Sequence, residues 1–400
     1  MFKETEHIFD FDTEIVHQGS YLEQELIRYP ESMPIYLTSV FNVEDIDDLY
    51  DQYGKKGFIY NRTRNPNRNT LGTIMSYLEG GESSVICSSG MGAIATALLS
   101  LLKEGDHILS DKTLYGETFA LFDKVLKRYG IENTCIDITD LDEVKKSIKN
   151  NTKIIYTETA SNPMITVCDI DALAKIAHEN DALLLVDNTF MTPYAIRPIE
   201  HGADITINSL TKFINGHCDA VCGSITGKSE LIEKCLEHQW VLGTCADAFT
   251  SYMAARGLRT LSLRMEKAMA NAAKLAKALE ASPYVVKVNH PSLKSHPQHE
   301  IATRMFGDRY GAMMSFVVIS DDRGKINDFI NRLNIAHYAS SLGGIRTTFS
   351  VPAHSSHRRV APEKRKAMGI TDSLIRVSVG VENIDDLIAD FIGALQAFKD

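Results

Sequence analysis

The chain has 400 residues, 44% of them hydrophobic and 24% charged, a globular composition too long for one small core, so two domains are expected. Its net charge of −10 argues against nucleic acid as the main partner, because neutralising phosphates needs clustered lysine and arginine. No apolar run reaches the ~18 residues of a bilayer span, and the first twenty residues lack a basic start followed by an apolar core, so a cytoplasmic protein is expected.

In chain order, residues 1–62 lack clear periodicity and, through "RYPESMPIYLTSVF", read as an extended N-terminal arm. Residues 63–258 alternate short apolar strands with helices. Strand-like "SSVICS" leads to helical "MGAIATALLSLLKEG", then to strand "HILS" and helical "ETFALFDKVLKRYG". The alternation continues through "NTKIIYTETA", "IDALAKIAHEND", "ALLLVDNTF", "ADITINS" and "AVCGSITG". That pattern predicts an α/β domain with a mostly parallel sheet covered on both faces. From 259 to 400 a long helical stretch, "RTLSLRMEKAMANAAKLAKALEAS", precedes strand-like "GAMMSFVVI" and "SLIRVSVGVE", read as a smaller C-terminal α+β domain. Seven cysteines, an odd number without zinc-site spacing, read as reduced, with no disulfide and no metal site. The basic run from Arg358 to Lys366 reads as a solvated face.

Three local signals carry chemistry. In "CSSGMGAIATALL" a strand turns through glycines into a helix, where free N–H groups and the helix dipole can hold a phosphate. Gly90, Gly92 and Ala95 also match the dinucleotide fingerprint, with Asp111 about 20 residues on, which keeps a nicotinamide (NAD) oxidoreductase open. Asp187 ends a wholly apolar strand, where burying a carboxylate is costly unless it meets a cation or a strong donor. Lys212 follows another strand, between the hydroxyls of Ser209 and Thr211. Each has a plain alternative: a tight turn, a strand-end aspartate, a solvated lysine. A fourth signal, "GSITGKS", is one residue short of a nucleotide loop and reads as a strand. Taken jointly, a phosphate site, an aspartate for a protonated ring nitrogen and a lysine for an aldehyde are what pyridoxal 5'-phosphate requires.

The stretch "LLLVDNTFMTPYAIRPIEHGADITINSLTKFINGHCD", together with "YNRTRNPN", "SSGMGA", "TLYGETFALF", "ETASNP", "RGLRTLSLRM" and "SLGG", resembles the Cys/Met-metabolism family of pyridoxal-phosphate enzymes. That family includes cystathionine γ-synthase, cystathionine γ-lyase and methionine γ-lyase. The resemblance implies an aspartate-aminotransferase-like (fold type I) domain with a small C-terminal domain, assembled as a homotetramer of dimers that share active sites. It implies that Lys212 holds the cofactor aldehyde and moves protons, that Asp187 pairs with the ring nitrogen, and that Tyr115 stacks on the ring. Gly90, Met91, Ser209 and Thr211 would hold the phosphate, Tyr60 and Arg62 would reach the phosphate of a neighbouring subunit, and Asn162 would lie near the 3′-oxygen. Arg376, helped by Ser341, would clamp the substrate carboxylate.

Two positions depart from the family pattern. Glu117 follows Tyr115-Gly116 where cysteine or glycine is usual, and Arg346 stands where a glutamate commonly follows the two glycines of "SLGG". A compensating swap between neighbours is one account of both. If Glu117 instead faces the distal end of the substrate, it favours a polar or cationic γ substituent over a bare thiomethyl group. The expected activity is a γ-lyase acting on a γ-substituted L-amino acid of the methionine, cystathionine, homocysteine or canavanine type. A γ-replacement transferase (cystathionine γ-synthase or O-acyl-homoserine sulfhydrylase) is the alternative.

Overall fold

The computed structural model describes residues 10–17, 30–55, 57–358, 360 and 362–399; parts of the expected N-terminal arm (1–9, 18–29, 56) lie outside them, and its described part is not wholly extended but holds helices at Phe11–His17 and Ile46–Gly54. The large sheet comprises β1 (Ser83–Cys87), β2 (His107–Asp111), β3 (Glu132–Ile136), β4 (Thr152–Glu158), β5 (Leu183–Asp187), β6 (Ile205–Asn208) and β7 (Gly223–Gly227), in spatial order β1-β7-β6-β5-β4-β2-β3. The neighbours from β3 to β6 run parallel, while β7 is antiparallel to both β1 and β6. The "GSITG" stretch is β7, fully buried between two strands, which leaves no loop to cradle a nucleotide. Leu184, Leu185 and Val186 are buried because both faces of the sheet are covered, which is why the strand reads as an unbroken apolar run.

Helix α1 (Pro66–Glu79) starts on Asn65, whose side chain accepts from the Asn67 N–H, has Pro66 in its first turn and stops at Gly80 in the left-handed region, φ 74°. Helix α2 (Gly90–Leu101) follows β1, and α3 (Gly116–Ala120) follows β2. The stretch expected as one helix over 117–130 is three pieces: α3, a π turn at Leu121–Val125 and a 3-10 turn at Leu126–Tyr129. The changes of winding keep Leu121, Phe122 and Leu126 buried against the sheet.

The second sheet is antiparallel over most of its width, with β8 (Val285–Asn289), β9 (Met313–Val318), β10 (His337–Tyr338), β11 (Thr348–Ser350) and β12 (Leu374–Ser378) in order β10-β11-β12-β9-β8. Phe316, Phe329, Phe349, Phe391 and Phe398 form its core. Helix α4 (Leu261–Glu280) belongs to both cores. Leu261, Met265, Ala268 and Met269 pack with the large sheet, and Ala272, Leu275, Ala276 and Leu279 with the small one. Among the described residues no helix is long and apolar enough to cross a membrane.

Candidate active site

Parallel registration of β4, β5 and β6 brings three strand ends together. Glu158 lies opposite Asp187, and Asp187 opposite Ile207. This is the carboxyl edge of the sheet, where open α/β folds bind ligands. Asp187 accepts from Thr189 through both its N–H (2.9 Å) and its hydroxyl, and burial raises its pKa. Glu158 accepts from the N–H of Tyr115 (2.7 Å) and of Asn162 (3.1 Å). Burial, reinforced by the charge of Asp187, pushes its pKa well up.

Past β6 the chain enters the Lys212 loop. The Ser209 N–H donates to the Thr189 hydroxyl (2.8 Å), which couples this loop to Asp187. The Lys212 amine lies 3.5 Å from Ser341 Oγ, and burial, followed by the positive charge of Arg376, lowers its pKa. Thr211 uses its hydroxyl on the backbone of Cys222, donating to the carbonyl (3.2 Å) and accepting from the N–H (3.0 Å). Arg264 of α4 donates to the carbonyls of Phe213 and Ile214 (2.9 Å to the latter), anchoring the loop's far side. Gly343, φ 81°, seats the "SLGG" turn on the loop; a Cβ there would stand 2.4 Å from the Phe213 nitrogen and 2.9 Å from Lys212 Cα.

The small domain contributes Arg376 from the middle of β12. Its Nη1 donates to Asn162 Oδ1 (3.0 Å) and its Nη2 to the Ser341 carbonyl (3.4 Å), and burial pulls its pKa down to about 10. Arg376 is also near enough to the Tyr115 hydroxyl to favour the phenolate; burial, foremost, and the charge of Glu117 act more strongly and raise the Tyr115 pKa. A buried guanidinium flanked by an amide and a carbonyl retains donors for a carboxylate.

At the start of α2, Ser89 takes the N–H of Gly92 on its hydroxyl (2.9 Å) and that of Ala93 on its carbonyl (2.9 Å). The N–H groups of Gly90 and Met91 have no protein acceptor among the described residues, as the first turn of a helix requires of an anion site. Ser209 lies directly against Gly90, where a Cβ would approach its Cβ to 2.7 Å. Met91 Sδ meets the Thr118 hydroxyl of α3 at 3.8 Å.

Tyr60 and Arg62 are not gathered with these groups inside one chain. Tyr60 bridges to Val40, and Arg62 stacks over Tyr60 (5.5 Å to the ring centroid) and donates to the Trp240 carbonyl. Arg346 is exposed beyond the "SLGG" turn. Asp111 is closed off by Thr113, which donates from both N–H (3.1 Å) and hydroxyl (2.9 Å). Two residues of the site escaped sequence reasoning. Glu158 stands at a strand end in "ETASNP", four residues before Asn162, and Thr189 stands two after Asp187; only the strand registration reveals what they join.

The pair Asp187 and Glu158 tests the fit of the expected cofactor. Glu158 is buried and Asp187 half-buried, and among the described residues neither is paired with a lysine or arginine. Such a pair calls for a cation at the sheet edge, and the protonated ring nitrogen of pyridoxal phosphate is one. An amine with lowered pKa for the aldehyde and a helix N-terminus for the phosphate complete the match.

Comparisons agree. The sequence profile of the family described as "Cys/Met metabolism PLP-dependent enzyme" matches residues 12–396. An L-methionine γ-lyase of Fusobacterium nucleatum subsp. polymorphum is 42% identical over 375 residues, 91% of this chain and 93% of that protein. A cystathionine β-lyase of Lactococcus lactis subsp. cremoris is 41% identical over 385 residues, 96% and 98% of the two chains. A crystal structure of cystathionine γ-lyase from Lactobacillus plantarum complexed with L-serine superposes with a TM-score of 0.91 at 35% identity, covering 98% of this chain and 100% of the other. With the geometry and the matched span in agreement, the chain belongs to the Cys/Met-metabolism family of pyridoxal-phosphate-dependent enzymes, as a lyase of fold type I.

Proposed function

We propose that this lyase catalyses γ-elimination on a γ-substituted L-amino acid with a hydrogen-bonding tail, releasing the γ substituent, ammonia and a 2-oxo acid. The observation that carries the reading is the convergence of Lys212, Ser341 and Arg376 beside Tyr115 and Glu117. Pyridoxal phosphate, when bound, supplies an aldehyde for the substrate amine and a ring that stabilises negative charge on the α-carbon. Arg376 takes the substrate carboxylate, with Ser341 and Asn162 fixing the guanidinium. That anchorage presents the α-hydrogen to the Lys212 amine, which removes it and then serves the β-carbon as general base. Tyr115, exposed at the start of α3, would give a proton to the departing γ group. Asp187 would keep the ring nitrogen protonated, Gly90, Met91 and Ser209 would receive the phosphate, Thr211 would join them by turning its hydroxyl from the Cys222 carbonyl, and Tyr60 and Arg62 would complete the site of a neighbouring protomer.

Glu117 supports the choice of substrate. Its charge reaches the Tyr115 hydroxyl, so it borders the region where the leaving group departs. A carboxylate there favours an amine or guanidino tail over a thiomethyl group. Steady-state rates on methionine, homocysteine, cystathionine and canavanine test this. The expected order places cystathionine or canavanine ahead of methionine, and Glu117→Cys is expected to shift that preference toward methionine by about tenfold. An unchanged order in the variant would remove Glu117 from the account. Product analysis tests the reaction itself: 2-oxobutanoate from cystathionine marks γ-elimination and pyruvate marks β-elimination. A new thioether formed only with added cysteine marks replacement.

A further inference from the structure

Glu79, the last residue of α1, is fully buried, and the mechanism does not use it. Its carboxylate accepts from Asn188 Nδ2 (3.2 and 3.4 Å) and from Asn208 Nδ2 (2.6 Å). Asn188 directly follows Asp187, and Asn208 directly precedes Ser209. The backbone N–H of Asn188 donates to Ile207 (2.8 Å), and its side chain also reaches the Ile196 carbonyl (2.9 Å). Both amides give their nitrogens to Glu79, that of Asn188 shared with the Ile196 carbonyl, and among the described residues both side-chain carbonyl oxygens are buried without a partner. Leaving two acceptors unmet is costly. An arrangement selected for packing alone would use apolar side chains at all three positions; here the carboxylate dictates how the two amides face.

We propose that Glu79 is a positioning residue for the cofactor site: by holding Asn188 and Asn208 on one carboxylate, it sets the separation between Asp187 and the Ser209–Lys212 loop. Thr189 passes the constraint on, because it bonds Asp187 and the Ser209 N–H at once. Burial raises the pKa of Glu79 to about 7 against the opposing pull of the two amides and Arg197, so the carboxylate is held in place at appreciable cost. The proposal rests on the assignment of this edge to pyridoxal phosphate.

The test is titration of the apoprotein with pyridoxal phosphate, followed by protein fluorescence, beside thermal unfolding of the same apoproteins. Glu79→Gln is expected to weaken cofactor binding about tenfold or more, as loss of a supporting hydrogen bond does at metal sites. The swap Glu79→Gln with Asn208→Asp re-creates an amide-to-carboxylate bond and is expected to restore binding to within about threefold of wild type. Asn289→Ala, which removes a buried amide bond to Ser315 (2.9 Å) in the small domain, is expected to lower the melting temperature without changing cofactor affinity. Wild-type affinity in Glu79→Gln, no recovery in the swap, or equal weakening by Asn289→Ala would each overturn the proposal. Should Glu79→Gln not fold, Asn208→Ser removes one arm alone and is read by the same criteria. A wild-type apoprotein that takes up no cofactor would overturn the site assignment and this inference with it; normal uptake by wild type and variants alike would overturn the inference alone.

Discussion

The half-buried position of Lys212 bears on its protonation. A lysine in water holds its proton to about pH 10.4, whereas burial and the Arg376 guanidinium destabilise the ammonium form here. The rate at which the apoprotein takes up pyridoxal phosphate is therefore expected to rise with pH along a limb centred below the ordinary lysine value of 10.5. Arg376→Gln removes one of the two causes and moves the limb upward; stopped-flow absorbance reads both. Lys212→Ala, lacking the proton carrier, is expected to lose about 10⁴-fold in turnover on any substrate. The residue types were legible beforehand, since a lysine between hydroxyls after an apolar strand has few structural uses. Glu158 was not legible, because a glutamate at a strand end gains its meaning from Asp187 on the neighbouring strand and from two N–H groups on separate loops.

Strands β4, β5 and β6 serve the site because parallel pairing aligns their carboxyl ends without any long-range sequence signal. Their existence followed from short apolar runs, and their order did not, since spatial neighbours such as β1 and β7 are far apart in the chain. In the small sheet, His290 follows β8 and joins it to the approach to β9, with Nδ1 2.7 Å from Ser292 Oγ and Nε2 3.3 Å from the Gly311 carbonyl. Burial lowers its pKa to about 4, below the 6.5 of an unfolded histidine. The unfolded chain then binds the extra proton first as pH falls, so this stabilisation is complete above pH 6.5 and is lost toward pH 4. Its full size is about 3 kcal/mol. His290→Gln is expected to flatten the fall of unfolding free energy across that window relative to wild type, as chemical denaturation at pH 7, 5.5 and 4.5 would measure.

At the scale of the molecule, the site exists only because two sheets meet. Helix α4 spans both cores and anchors the Lys212 loop through Arg264, while its Asn271 donates to Gly380 (3.0 Å) and Glu382 (2.8 Å) beyond β12. The single chain also exposes a set of apolar side chains, among them Leu37 (74%), Ile46 (71%) and Val241 (87%), on the arm and on the helix that meets Arg62. If the chain assembles as its family resemblance implies, a second copy would cover these side chains. If Tyr60 and Arg62 complete a neighbour's site, mixing the inactive variants Arg62→Ala and Lys212→Ala after mild dissociation should regain up to about a quarter of wild-type activity, the share of intact sites in random dimers. No regain, with hybrids verified by mass, would confine each site to one chain. From its residues and their resemblance to a family, the sequence by itself determined the α/β class and the cofactor, because strand periodicity, helix-start glycines and a lysine signature are local. Only the tertiary structure decided which groups converge, that Glu158 joins the N–H groups of Tyr115 and Asn162, that Arg376 reaches Asn162 and Ser341, and that Glu79 gathers Asn188 and Asn208. Hydrogen bonds and buried charges act over a few ångströms in space, and residues as far apart in the chain as 79 and 208, or 162 and 376, become neighbours only after the strands have chosen their order.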